Sequence, residues 1–449
     1  MATTPTEPGD VDTDHEEPPS GSTRRKHKRR RTGVLVALAV GVWLAVAGVT
    51  LAGAVVSARA GLSSLEQVRE DASVSTLRSA QDVARLRDAE AHFDTARTRV
   101  RSVAVSPLRA LPVVGRQLRS VDHLSNAAGE VAGTAADALI EIQGRLDGGL
   151  PAGPDRVRLL ADVARVAGEA EERLTAVDLG PDEGLIGPLA EGRSRAATEL
   201  ADLQGSAGRA RLGSAGMAEL FGRDATLLLL LGNNAEMRAG SGMFLTVGTV
   251  TVSDGRLSVG EIVPTFDFQL PESVPVEGDL ADRWGWLEPG REWRNLGVTP
   301  RFDVTAPLAA RMWEQARGQT VDGVLAVDVV ALAGILAATG PVQVEEQTIT
   351  ADSVVQDLLH DQYLGLDDGQ FDVAQAERRG RLSGVARAAL EALERPELDG
   401  ALLAEELAGA ARGRHLLAWS PDPVVQQGWE AMNLDGAVGP DDLLVAVLN

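Results

Sequence analysis

Polar and apolar positions along the chain change their period several times. Residues 1–23 are rich in Pro, Thr, Glu and Asp without apolar periodicity, which predicts a disordered acidic tail. A basic run, Arg24-Arg25-Lys26-His27-Lys28-Arg29-Arg30-Arg31, follows. From Thr32 to Ala58 there are 27 residues without a charge. About 20 such residues cross a bilayer as a helix, so the pattern predicts a tail over 1–31 and a transmembrane helix over 32–58. A cleaved signal peptide is the other reading, with Val56-Ser57-Ala58 as a passable cleavage site, but the run exceeds the roughly 7 to 15 residues of a signal core.

Beyond the span the period turns helical. Leu86, Ala89, Phe93, Ala96, Val100 and Val103 step by three and four, and Ala128, Val131, Ala135, Ala138, Ile142 and Leu146 do the same. Ser106-Pro107 and Leu111-Pro112 must break the helix between these two seams. A third helix carries Val157, Leu160, Val163, Val166 and Leu174, and a fourth runs from about Leu189 to Leu212. These Ala-rich segments predict a helical stalk or bundle over 59–222. Self-association or partner binding through its seams is the alternative to packing against its own neighbours.

At Thr226 the pattern becomes extended. Leu227 to Leu231 are five leucines, Gly232 to Gly242 form a polar glycine-rich loop, and Phe244 to Val252 are mostly apolar and β-branched. Ser253-Asp254-Gly255-Arg256 reads as a hairpin turn. Helices are expected from Asp303 to Ala316, Val330 to Ala338, Thr350 towards Tyr363, and Asp372 to Leu393. Val321 to Asp328 and Val342 to Val344 read as strands, and Leu443 to Asn449 reads like an interior strand. Strand and helix in alternation predict an α/β head over 223–449, a mixed sheet flanked by helices.

Charge and composition refine this order. Seven positive side chains precede the span and none directly follows it, which orients the N-terminus to the cytoplasm and the rest outside the cell membrane. The first 31 residues hold seven basic and six acidic side chains, a sum of +1, so of the total charge of −22 the exported part carries about −23. An acidic surface with 3 % aromatic residues does not suit nucleic acid. Absence of cysteine excludes disulfides, thiolate nucleophiles and cysteine-based metal sites. Every basic residue after Lys28 is an arginine, a composition that points to a GC-rich bacterium. A cysteine-free exported region of this kind suits a Gram-positive envelope. His92, His123, His360 and His415 lack metal-ligand spacing and read as surface or satisfied side chains.

Candidate chemistry concentrates in the loop after the leucine run, because open sheets place ligands at strand ends. Asn233, Asn234 and Glu236 give it polar and acidic groups, Arg238 a cation, and Gly240 and Gly242 room for an anion. A plain turn with a surface ion pair is the bland reading. Pro264 to Arg301 mixes Phe266, Phe268, Trp284, Trp286 and Trp293 with Asp267 and several arginines, as a pocket wall, an interface or a core would. Arg378, Arg379 and Arg381 make the last helix cationic, as an anion site or a solvated face.

Several of these motifs carry a resemblance. Gly232 to Arg238, Asp254-Gly255-Arg256, Val321 to Val324, Ala337 to Val342, Ile349-Thr350 and Arg414 to Ser420 resemble, in order, domain-of-unknown-function family 4012, membrane-anchored bacterial proteins with no assigned activity. The order of elements is also similar, more weakly, to the LytR-CpsA-Psr family of glycopolymer transferases. That second resemblance implies a pyrophosphate clamp built from Arg238, Arg378, Arg379 and Arg381, with Asp267 and a divalent metal such as Mg. The chain departs from it at Arg238-Ala239-Gly240, which lacks that family's carboxylate, and at Pro264-Thr265-Phe266-Asp267, which lacks its arginine. The resulting expectation is a single-pass envelope protein that binds or handles a lipid-linked or wall glycopolymer. A metal-dependent phosphotransferase and a non-catalytic assembly scaffold are the alternatives.

Overall fold

A computed structural model of the chain describes residues 23–70, 80–146, 150–236, 238–240, 242–268, 270–361, 371–395 and 398–438. The acidic tail over 1–22, Tyr363 and the expected strand over 443–449 lie outside the described residues.

The first part is helical: α1 (Thr23–Glu70), α2 (Ala80–Arg101), a short α3 (Ser106–Arg109), α4 (Pro112–Leu146), α5 (Pro154–Thr175) and α6 (Gly187–Phe221). Pro107 and Pro112 open α3 and α4. A proline is tolerated in a first turn because its missing N–H would have no helical partner there. From Leu38 onward α1 is long and apolar enough to cross a membrane, the one such helix among the described residues. It does not stop where the uncharged run stops, but continues through Arg59 to Glu70. Residues 38–42 are exposed all round. From Trp43 on, a single stripe through Ala47, Ala54, Ser57 and Gly61 turns inward.

That stripe meets α2. Leu86, Ala89, Phe93, Ala96 and Val100 are buried, as their spacing predicts. Val103 breaks the pattern, because α2 ends at Arg101 and leaves it 90 % exposed. In α4 the buried face is Ser125, Gly129, Ala132 and Ala136, rotated from the expected Ala128, Val131 and Ala135, which are only half-buried. The reason is that α4 packs against α2 on one side and α5 on the other, so small residues are needed on more than one face.

The second part is built on a sheet. Its elements are β1 (Ala225–Asn233), β2 (Met243–Ser253), β3 (Arg256–Pro264), α7 (Gly278–Trp284), α8 (Phe302–Arg317), β4 (Gly323–Asp328), α9 (Val329–Thr339), β5 (Val342–Val344), β6 (Gln347–Ile349), α10 (Ala351–Leu359), α11 (Phe371–Ala392), α12 (Gly400–Arg412), β7 (Leu416–Trp419) and α13 (Pro423–Ala431). The strand order is β3-β2-β1-β4-β7, with β1 and β4 parallel and the other neighbours antiparallel. This is a mixed sheet flanked by helices. β5 and β6 stand apart as a two-stranded ribbon. Asp254 and Gly255 both take positive φ, 49° and 71°, which is the turn geometry that matches the twist of a two-residue hairpin.

The leucine run explains the layers. Side chains alternate across a strand, so Leu229 and Leu231 enter one core with α9, α10 and α11, while Leu228 and Leu230 enter another with α8 and a 3-10 turn over Trp293–Val298. β1 is therefore a central strand covered on both faces. The aromatic segment divides between core and surface. Phe268 stacks on Trp293 at 5.7 Å and lies 5.6 Å from Trp313, whereas Trp286 is 75 % exposed.

Arg156 of α5 joins the two parts. Buried at the seam, it donates to Glu394 Oε1 at 2.6 Å and to the Gly255 carbonyl at 3.3 Å, and its guanidinium lies 5.3 Å from the Phe221 ring.

Candidate functional site

Five strand ends share one edge of the sheet. The carboxyl ends of β1, β3 and β4 meet there with the amino ends of β2 and β7, as the pairings Asn233 with Met243, Thr246 with Pro264, Gly232 with Asp328 and Val327 with Leu416 require. The loop after β1 and the turn after β3 therefore open on the same side. This is where parallel strands direct their loops and where α/β sheets hold ligands.

Asp328 is the hub of this edge. It ends β4, is 1 % exposed, and caps α9: its Oδ1 accepts from the Val330 and Ala331 backbone N–H groups at 2.9 and 3.1 Å. Its Oδ2 accepts from Asn234 Nδ2 at 2.6 Å and faces His415 Nδ1 at 2.6 Å. A carboxylate oxygen can only accept, so Nδ1 is the proton-bearing nitrogen and the imidazole is held in one orientation. His415 is the residue before β7, its side chain 31 % exposed, and a Cβ on Gly413 would fall 3.0 Å from its Nε2. The ring is thus oriented by a buried acid and reaches solvent, an arrangement able to move a proton or bind a hydroxyl or anionic group. Asn234 Oδ1 is buried and has no hydrogen-bond partner.

The sequence-predicted loop residues divide by role. Asn233 is buried, and its Oδ1 accepts from the Ala235 N–H at 2.9 Å, so it shapes the turn. Asn234 ties the turn to Asp328. The loop rests on the 3-10 turn, where the Gly240 N–H donates to the Gly297 carbonyl at 2.9 Å. Gly242 takes φ 88°, and a Cβ there would lie 2.5 Å from the Asn233 carbonyl oxygen, so the return of the chain into β2 requires glycine. Met237 and Ser241 lie outside the described residues.

A second group gathers near the end of β3, the outer strand on the opposite side of the sheet from β7. Arg294 of the 3-10 turn forks onto Glu292 at 2.6 and 2.9 Å and lies 5.7 Å from the ring of Phe266, which is 52 % exposed. The Arg294 guanidinium holds the Glu292 carboxyl below the usual carboxylate range. Glu292, with a smaller contribution from the charge of Glu236, raises the Arg294 pKa. Asp267 is exposed in the same turn as Phe266.

Arg381 is placed differently. It sits on α11, which packs on the β3 and α9 side, and donates to Gln347 Oε1 of β6 at 2.6 Å, with Asp357 of α10 at 4.0 Å. Arg238 follows the loop against Gly297, which belongs with the opposite face of the sheet. The side chains of Arg378 and Arg379 lie outside the described ones.

Residues 223–363 match the family model described as Protein of unknown function (DUF4012). The chain carries a DUF4012 segment. It runs from the residues just before β1 past the end of α10 and contains Asn233, Asn234, Glu236, Arg238, Asp267 and Asp328. His415 and the α11 arginines fall beyond the DUF4012 match, so the hub is completed from outside it. No curated protein and no solved structure matches the chain. Among the described residues no group of three or more His, Asp or Glu side chains is arranged to hold a metal ion.

Proposed function

We propose that the protein is a single-pass protein of the bacterial cell envelope that binds a lipid-linked or wall glycopolymer at the carboxyl edge of its sheet. α1 is its anchor, with the basic run at Arg24 to Arg31 in the cytoplasm and the chain after α1 outside. The carrying observation is the company kept at that edge. A half-exposed ring, Phe266, stands beside the Arg294–Glu292 pair, and an oriented imidazole, His415, stands beside a buried amide oxygen without a partner. Ring faces, fixed amides and paired charges are what a chain of hydroxyl groups with a phosphate can use.

Titration calorimetry of the detergent-solubilised chain with polyprenyl phosphate and with purified wall glycan tests this. Binding that weakens about tenfold in Phe266→Ala or His415→Ala, the loss of roughly 1.4 kcal/mol, is the expected result. No heat with either ligand refutes the reading. The transferase alternative draws on Asp267 and Arg238 standing at the same edge. It requires metal-dependent release of pyrophosphate-linked lipid that disappears in Arg378→Ala with Arg379→Ala. A scaffold would keep its cellular role in variants of the edge residues.

A further inference from the structure

The corner where α2, α3 and α4 meet is apolar where it is exposed. Val103 is 90 % exposed, Val113 69 % and Leu111 48 %, while Val105 and Leu118 of the same corner are buried against Ala54 of α1. Apolar side chains concentrated at one solvated corner mark a docking surface.

The corner is also cationic. Between Asp94 and Asp122 the chain has six arginines, Arg97, Arg99, Arg101, Arg109, Arg116 and Arg119, and no acidic residue, in a protein of net charge −22. Buried Asp122 gathers three of them, Arg101 at 2.7 Å, Arg109 at 3.1 Å and Arg97 at 3.6 Å, and so keeps part of a positive excess in place. The acidic loop between α5 and α6 is held higher. His123 meets Asp178 at 3.1 Å and Gln117 donates to the Gly184 carbonyl at 2.9 Å, one to three helical turns above Val113.

Finally, the corner is fixed to the apolar helix. Trp43 Nε1 donates to the Ala104 carbonyl at 2.9 Å, Leu51 and Ala54 pack with Val100 and Val105, and Arg99 donates to Ser57 Oγ at 2.8 Å. Counting about 20 residues of helix, roughly 30 Å, from the end of the basic run brings α1 out of the hydrocarbon near Leu51. The corner spans the levels from Trp43 to Ala54, so its tip at Ala104 reaches up to about 12 Å below that exit, inside the outer leaflet half. The rest of the uncharged run, 52–58, is then explained by packing on α2.

We propose that this corner sits in the phospholipid leaflet from which α1 emerges, with Val103, Leu111 and Val113 at the acyl boundary and the arginines on lipid phosphates. This rests on α1 being a membrane anchor. A lipid surface is the occupant because α1 holds the corner at the depth where the bilayer ends, and because apolar tips ringed by long cationic stems match the headgroup layer.

Since the chain has no cysteine, single substitutions label cleanly. Nitroxide is attached to full-length Val103→Cys, Val113→Cys, Leu44→Cys and Ser194→Cys in vesicles of phosphatidylcholine and phosphatidylglycerol, and accessibility to oxygen is compared with accessibility to a nickel chelate. The expected oxygen-to-nickel ratio at 103 and 113 is several-fold above that at 194 and approaches that at 44. Aqueous values at 103 and 113 with a lipid value at 44 overturn the seat and leave the anchor. Aqueous values at 44 as well overturn both.

Discussion

Asp328 serves four partners with two oxygens, so its removal is costly in several ways at once. Asp328→Ala strips the cap from α9 and leaves the Asn234 amide and the His415 N–H unsatisfied. A lost cap costs about 1 kcal/mol and a buried orphan about 1 to 3, so thermal unfolding is expected to show a loss of about 2 to 4 kcal/mol. Glu292 gives a pH signature. Its folded pKa lies below the ordinary value because Arg294 hydrogen-bonds the charged form. The pair's contribution is therefore whole above about pH 4.3 and is lost as pH falls through the lower folded value. Glu292→Gln is expected to flatten the acid limb of the stability curve below that pH, measured by urea unfolding at stepped pH. The sequence makes Asn233, Asn234 and Glu236 visible because polar residues crowd a short loop. It hides their partners: Asp328 looks like the last residue of an apolar strand, and His415 lies 87 residues further on. Only pairing of β4 with β7 brings the two together.

Elements with a strong period are the ones legible beforehand. The α2 seam, the leucine strand and the Asp-Gly hairpin all follow from local pattern, since each residue's burial there is decided by its own turn or pleat. What is decided by neighbours is not legible in the same way. β7 is four residues long and gains its identity by pairing with β4. The buried face of α4 is set by having partners on two sides. Close helix contact gives a direct test. A Cβ on Gly216 of α6 would lie 2.9 Å from the Gly428 Cα of α13. Gly216→Val is expected to force the helices apart and destabilise the protein by about 1 to 3 kcal/mol in denaturant titration, with Gly216→Ala milder.

For the whole molecule, one arginine matters more than its count suggests. Arg156 is a buried polar link between the helices and the sheet, and Glu394, its partner, also accepts from the Leu257 N–H at 2.9 Å. Arg156→Ala leaves that carboxylate in a poorly solvated place, so a loss of about 3 kcal/mol is expected by calorimetry, and Glu394→Gln in the same background should recover part of it. The continuous α1 has another consequence. Its 48 residues form a rod of about 72 Å without a proline. Trp43 grips the α2–α3 corner near its middle, and Phe93 meets Gly61 about four-fifths of the way along. A rod held at two levels cannot swivel freely inside its sleeve. Any twist or tilt imposed on its amino-terminal end is delivered to α2 and α4 as a lever's motion, so the first helix is built to transmit torque.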